Sequence, residues 1–278
     1  MLHAAGINEA TLFDWLDKPD PNAVAKAEAL LRSLGALAND NAGGLTDVGR
    51  AMLRLPMHPR LARMIVEASR RDCINEAALC AAFMGGRNIL IRSARDDKNV
   101  QAAREPFLDG ADSDFEVLIR AWQFANARRY NVDDCRAHGI HAGACRDVES
   151  AFRQICRLAG TTNAQAAPDR SKSVALRHCI LAAFADQLCV RRDSGTLICS
   201  LSEGRSGTLV RESVVQKSPL LVVGEIREIS TRGNHEQTLL SLASAVELDW
   251  VRNLFPDELT TRAECEFDPG PKRIEAFE

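Results

Sequence analysis

Aromatic residues are scarce in this 278-residue chain: they make up 5% of it, with a single tyrosine. Between Leu188 and Glu247 there is no Phe, Tyr or Trp. That stretch has no rings on which nucleobases could stack. Lysine is scarce as well, six of the 35 basic residues, so the positive charge is carried by arginine. The net charge is −3, which announces no bulk attraction to nucleic acid. No apolar run approaches the ~18 residues that a membrane-spanning helix needs, and no membrane partner is expected. None of the nine cysteines forms a Cys-x-x-Cys pair. No signal-like or transit-like stretch precedes them, so reduced thiols in a cytoplasmic protein are expected. There is also no Gly-x-x-x-x-Gly-Lys-Ser/Thr loop. Without such a loop, its lysine and an acid for magnesium, phosphoryl transfer has no machinery. No catalytic residue, resident cofactor or bound metal is expected in this chain.

What is present is a soluble composition, 46% apolar and 26% charged, with length enough for two or three domains. Asp20 before Pro21 writes a helix start, and Val24, Ala27, Leu31 and Leu34 share one face of the helix that follows. Gly35 supplies the C-terminal cap. Ala36-Leu37, a loose turn over 39–44 and Leu45-Thr46 then read as a hairpin wing. Thr46 caps a helix with Val48, Met52 and Leu55. Residues 1–58 are therefore expected to form a winged helix. Residues 59–170 read as a helical bundle: Pro59 opens one helix, Ile74 to Met84 is a second, Ser113 or Asp114 starts a third, and a fourth begins near Ala144. Residues 87–112 read as a long loop with at most a short helix, and 161–173 as a linker. Residues 171–260 combine a leading helix over 174–184 with short strands of period two, at Leu188/Val190, Leu197/Cys199/Leu201, Leu220–Val223 and Leu240/Leu242. An OB-fold-like barrel is the economical expectation. Residues 261–278 read as an extended C-terminal extension that stops without a terminating signal, as if the chain were cut there. The fold class expected is mainly α with a C-terminal β part.

The order of these parts, together with local wording, resembles the helicase-associated region of DEAH-box RNA helicases. The residues that carry the resemblance are Phe13-x-x-Leu16-Asp17-x-Pro19-Asp20-Pro21, Leu34 through Met64, and Asp112-Ser113-Asp114 with its helix. Val148 through Ile155, Ser213-Val214-Val215-x-x-Ser218-Pro219 and Asp249-Trp250-Val251 add to it. The terminal Glu266-Phe267-Asp268-Pro269 is nearest the bacterial HrpB-like branch. The resemblance implies a ratchet bundle, a winged-helix pivot and an OB-fold that together line the path of single-stranded RNA beside two RecA-like lobes. Those lobes would bind ATP and Mg2+. No Asp-Glu-Ala-His motif is present here, so an accessory region of a helicase without ATPase activity of its own is expected.

The candidate nucleic-acid contacts are Arg146, Arg153 and Arg157, at helical spacing opposite an apolar stripe, and Arg191, Arg192, Arg205 and Lys217 beside the barrel strands. Arg60 to Arg104 holds nine basic residues against five interleaved acids, which suits either phosphate contact or a solvated face paired with its own acids. Cys135, His138, His141 and Cys145 have zinc-ligand chemistry, but their helical spacing spreads them around an axis. Two rival functions stand beside RNA binding. One is a protein-interaction module acting through the OB-fold. The other is a DNA-binding winged helix, for which the helix after Thr46 offers only Arg50 and Arg54 as base readers.

Overall fold

The computed structural model describes residues 2–7, 9–39, 44–91, 97–161, 169–193, 195–231 and 235–256, and the backbone of 264–268 and 273–277. Two compact units result, Met1–Val246 and Glu247–Glu278. The sequence-based winged helix, bundle and barrel all fall within the first. The helix Leu248–Leu254, which sequence grouped with the barrel, falls in the second together with a two-stranded hairpin of Glu264–Asp268 and Arg273–Phe277.

The helix starts are set by side chains close in sequence. Helix α1 (Pro21–Ser33) is capped by Asp20, which accepts from the amides of Asn22 at 2.7 Å and Ala23 at 3.2 Å. The wing is a single antiparallel bridge, Leu37 to Leu45, whose turn at 40–43 lies outside the described residues. Thr46 caps α2 (Asp47–Leu53) through the Gly49 amide at 2.9 Å. A Cβ at Gly49 would sit 2.2 Å from the Ala36 carbonyl oxygen, so glycine lets α2 press against the wing. His58 caps α3 (Pro59–Arg70): its Nδ1 accepts from the Arg60 amide at 3.3 Å. Burial, then the Arg60 charge, hold its pKa below the ordinary histidine value, which keeps the ring a neutral acceptor.

Helix α4 (Ile74–Met84) is buried along its length, and its alanines let it lie close to α8 (Ala142–Leu158). Between them the chain differs from the expected long loop. Helix α5 (Lys98–Leu108) runs for three turns, with Val100 and Phe107 buried one above the other and Asp97 as its cap. Surrounding charges hide this two-residue apolar seam from a periodicity count. Helix α6 (Asp114–Ala127) starts at Ser113, and a short α7 (Val132–Ala137), not expected from sequence, precedes α8. Helix α9 (Ser173–Phe184) lies along α3 of the bundle while also touching the barrel.

Five strands, β1 (Leu188–Arg191), β2 (Ile198–Leu201), β3 (Ser206–Leu209), β4 (Leu220–Thr231) and β5 (His235–Ala245), close a barrel in the order β1-β2-β3-β5-β4. All pairs are antiparallel except β3 with β5. Leu201, Leu209, Leu221, Val223 and Leu240 fill its interior with Cys189 and Cys199. In β1 the inward face is not the one that Leu188 and Val190 suggest. Cys189 and Arg191 point in, and Val190 is 54% exposed.

Candidate nucleic-acid interface

The barrel is joined to the bundle by Asp112-Ser113-Asp114. The Asp114 carboxylate accepts from Ser213 Oγ at 2.9 Å, the Val214 amide at 2.9 Å and the Ala243 amide at 2.8 Å. Ser113 and Ser244 share a hydroxyl hydrogen bond at 2.7 Å, and the Asp112 carbonyl accepts from the Ala245 amide at 2.8 Å. Asp112 also pairs with Arg177 of α9 at 3.3 Å. Burial pushes the Asp114 carboxyl up to about 6, against the pull of the three donors it accepts from. Gly224 completes the joint, because a Cβ there would stand 3.2 Å from the Phe115 ring.

This joint leaves a cleft of about 970 Å³ between bundle and barrel. The bundle wall carries Phe83, Met84, Arg87 and Arg104, and the segment 88–91 is tied down by hydrogen bonds from Ile91 to Gly139 and from His141 to Ile89. The facing barrel wall includes a cross-strand row, Ile198–Thr208–Leu239–Arg227, one residue from each of β2, β3, β5 and β4. Arg211 sits at the end of β3.

The seven sequence-predicted contacts lie elsewhere, and none lines this cleft. Arg146, Arg153 and Arg157 are exposed on α8, opposite buried Val148, Phe152 and Cys156. Arg146 donates to the Tyr130 carbonyl at 3.0 Å, and Arg153 pairs with Glu149. Arg192, Arg205 and Lys217 are exposed on the barrel. Arg191 is the correction. It is 7% exposed, and its guanidinium donates to the carbonyls of Ser218 at 2.9 Å, Thr196 at 2.6 Å and Val215 at 2.7 Å. A guanidinium enclosed by three carbonyls is a fastener of the barrel and is withdrawn from any strand of RNA.

The basic run from Arg60 is largely paired internally. Arg60 bonds Asp186 on the far side of the chain, and Arg63 and Arg71 both bond Glu67 at 2.8 Å. Arg104 donates to the carbonyls of His138 and Gly139, and its burial lowers its pKa. Arg50 of α2 bonds Asp47 and the Leu45 carbonyl. Of the possible zinc ligands, His138 lies against the Phe124 ring, centroids 4.0 Å apart, and His141 caps α8 through the Ala144 amide. Burial pushes the Cys145 thiol up to about 12 and raises that of Cys135. Among the described residues no group of three or more metal-ligating side chains forms.

The cleft wall escaped the sequence reading. Alternation along 225–227 and 237–241 does separate Ile226 and Leu240 from Glu225, Arg227, Leu239 and Ser241. Which alternate set faces the bundle depends on barrel closure, which one strand does not reveal.

A winged helix, a helical bundle and a closed five-stranded barrel, in that order and joined as one body, define an accessory region of the kind that helicases carry. Residues 27–57 match the helicase associated domain (HA2), winged-helix, and residues 58–138 the helicase associated domain (HA2), ratchet-like. Residues 27–138 are therefore a helicase-associated region, and the homologues of the chain are DEAH-box helicases. The chain is 30% identical over 158 residues to the pre-mRNA-splicing factor ATP-dependent RNA helicase prp22 of Schizosaccharomyces pombe, a match covering 57% of this chain and 13% of that protein. The fold is similar to the crystal structure of the E. coli DExH-box NTPase HrpB, with a TM-score of 0.59 and 20% identity over 99% of this chain and 27% of that one. The chain thus spans about an eighth of the curated relative and about a quarter of the solved chain.

Proposed function

We propose that this chain shapes the path of a single RNA strand beside a helicase motor and couples closure of that motor to strand movement. The observation that carries the reading is the joint at Asp112–Asp114. It makes the helicase-associated bundle and the barrel one body, so a strand held by one is held by both. ATP and Mg2+ belong to the RecA-like lobes in this reading, and no step of hydrolysis falls to residues of this chain. The surface at the N-terminal end suits those lobes: Leu16 is fully exposed, and α1 contains no buried residue. On the RNA side the basic groups reach backbone phosphates, since the barrel strands carry no aromatic ring.

Fluorescence anisotropy of the purified chain with a labelled single-stranded RNA, titrated with salt, tests the proposal. Affinity is expected to fall steeply with added salt. An Arg146/Arg153/Arg157→Ala variant is expected to bind more weakly, with a salt slope shallower by about 2. Absence of binding at the lowest salt would sink the RNA reading and leave a protein-interaction module.

A further inference from the structure

The barrel wall of the cleft carries two arginines that the fold leaves under-used. Arg227 has one charged neighbour, Glu225, with Nε to Oε1 at a long 3.4 Å. Its Nη2 has no hydrogen-bond partner among the described residues, although it is covered, and a third of the side chain is exposed. No hydrogen bond or ion pair holds the Arg211 side chain among the described residues, and it is exposed. Arg104, across the cleft, is by contrast fixed by backbone carbonyls. A guanidinium left with unfilled donors beside an apolar surface is a ready partner for an anion with oxygens in a plane.

The neighbours of Arg227 supply the apolar surface. Leu239 is its direct cross-strand partner, Thr208 follows, and Ile198, 41% exposed, ends the row. The acids nearby are engaged. Glu225 accepts from Ser241 Oγ at 2.6 Å, Asp114 is closed in by its three donors, and Glu212 has a partner of its own.

We infer that this cleft seats a nucleotide unit of single-stranded RNA, with Arg227 and Arg211 on its phosphates and the Ile198–Leu239 row against sugar and base. The inference rests on the RNA reading above and gives it a location distinct from α8. Turning the Arg227 side chain about its last torsions brings the Nε–Nη2 edge to the cleft without moving the backbone. With no ring in the barrel wall, the seat does not discriminate bases by stacking.

The test uses the whole chain and a 5′-fluorescein-labelled twelve-residue oligouridylate. Arg227→Ala is expected to weaken binding about ten-fold at low salt and to make the salt slope shallower by about 0.7. Arg227→Lys restores the slope but not the full affinity, since it keeps the charge and loses the fork. Leu239→Glu, on the outward face, weakens binding at least as much. Should a variant lose its cooperative melt, photocrosslinking of wild type with 4-thiouridine decides instead, with crosslinks expected in 196–213 and 224–242. If wild type binds, variants match it and crosslinks fall on α8, the seat is overturned while the RNA reading stands. If wild type does not bind at all, both are overturned.

Discussion

The bundle and the barrel satisfy their polar groups by opposite means. In the winged helix and bundle, each helix start is met by a side chain at its own threshold: Asp20, Thr46, His58, Asp97, Ser113, Asn131 and His141. In the barrel the decisive groups come from far along the chain. Arg191 reaches the carbonyls of residues 215 and 218, and Asp114 reaches amides 100 and 129 positions away. Local caps are replaceable one at a time. A long-range fastener holds several segments at once, so its loss is felt by all of them.

The sharpest way to break this comparison is Arg191→Ala beside Arg192→Ala. The first removes a buried guanidinium and strands three carbonyls, and about 3–5 kcal/mol of barrel stability should go with it. The second touches an exposed side chain and should change stability by no more than about 0.5 kcal/mol. Chemical denaturation of both variants measures the difference. Equal effects would mean that Arg191 is not the fastener described.

Next in size is the titration of Asp114. The folded chain holds this proton up to about pH 6, whereas the unfolded carboxyl releases it near 3.8. The folded state therefore binds more protons between those values, and this group's contribution to stability falls as pH rises through that window. The sign is opposite to that of a salt-bridged carboxylate. The full gap corresponds to about 3 kcal/mol, and Asp114→Asn should abolish the slope in a comparison of melts from pH 4 to 7. A slope unchanged in that variant would assign the dependence to other groups.

The smallest effect is expected for a local cap. Asp20→Ala leaves two amides of α1 to solvent and should cost about 1 kcal/mol, read as a small fall in melting temperature with the barrel unaffected. A loss as large as that of Arg191→Ala would erase the distinction between local and long-range closure.

The same distinction explains what could be read from the sequence. Asp20-Pro21, Gly35, Thr46-x-x-Gly49 and Ser113 speak through neighbours three or four residues away, so helix starts and the wing were legible. The length and placement of α4 followed from its apolar run and the Gly85-Gly86 stop. Helix α5 was not legible, because two buried residues seven apart sit among charges. The strands were visible as short apolar alternations, yet β4 and β5 run to 12 and 11 residues because they pair with each other through polar stretches.

The candidate sites divide along the same line. The exposure of Arg146, Arg153 and Arg157 opposite a core stripe follows from helical period alone. Arg191 and Arg192 are adjacent and chemically identical, and nothing local tells which one turns inward. Barrel closure decides it, by setting the register that pairs Cys189 with Leu201 and brings the 215–218 segment over Arg191. Sequence by itself fixed the caps, the helix faces and the order of the parts, since those depend on contacts within a turn or two. The inward face of each strand, the joint at Asp114 and the cleft were decided by tertiary structure, since each needs groups about 100 residues apart to meet.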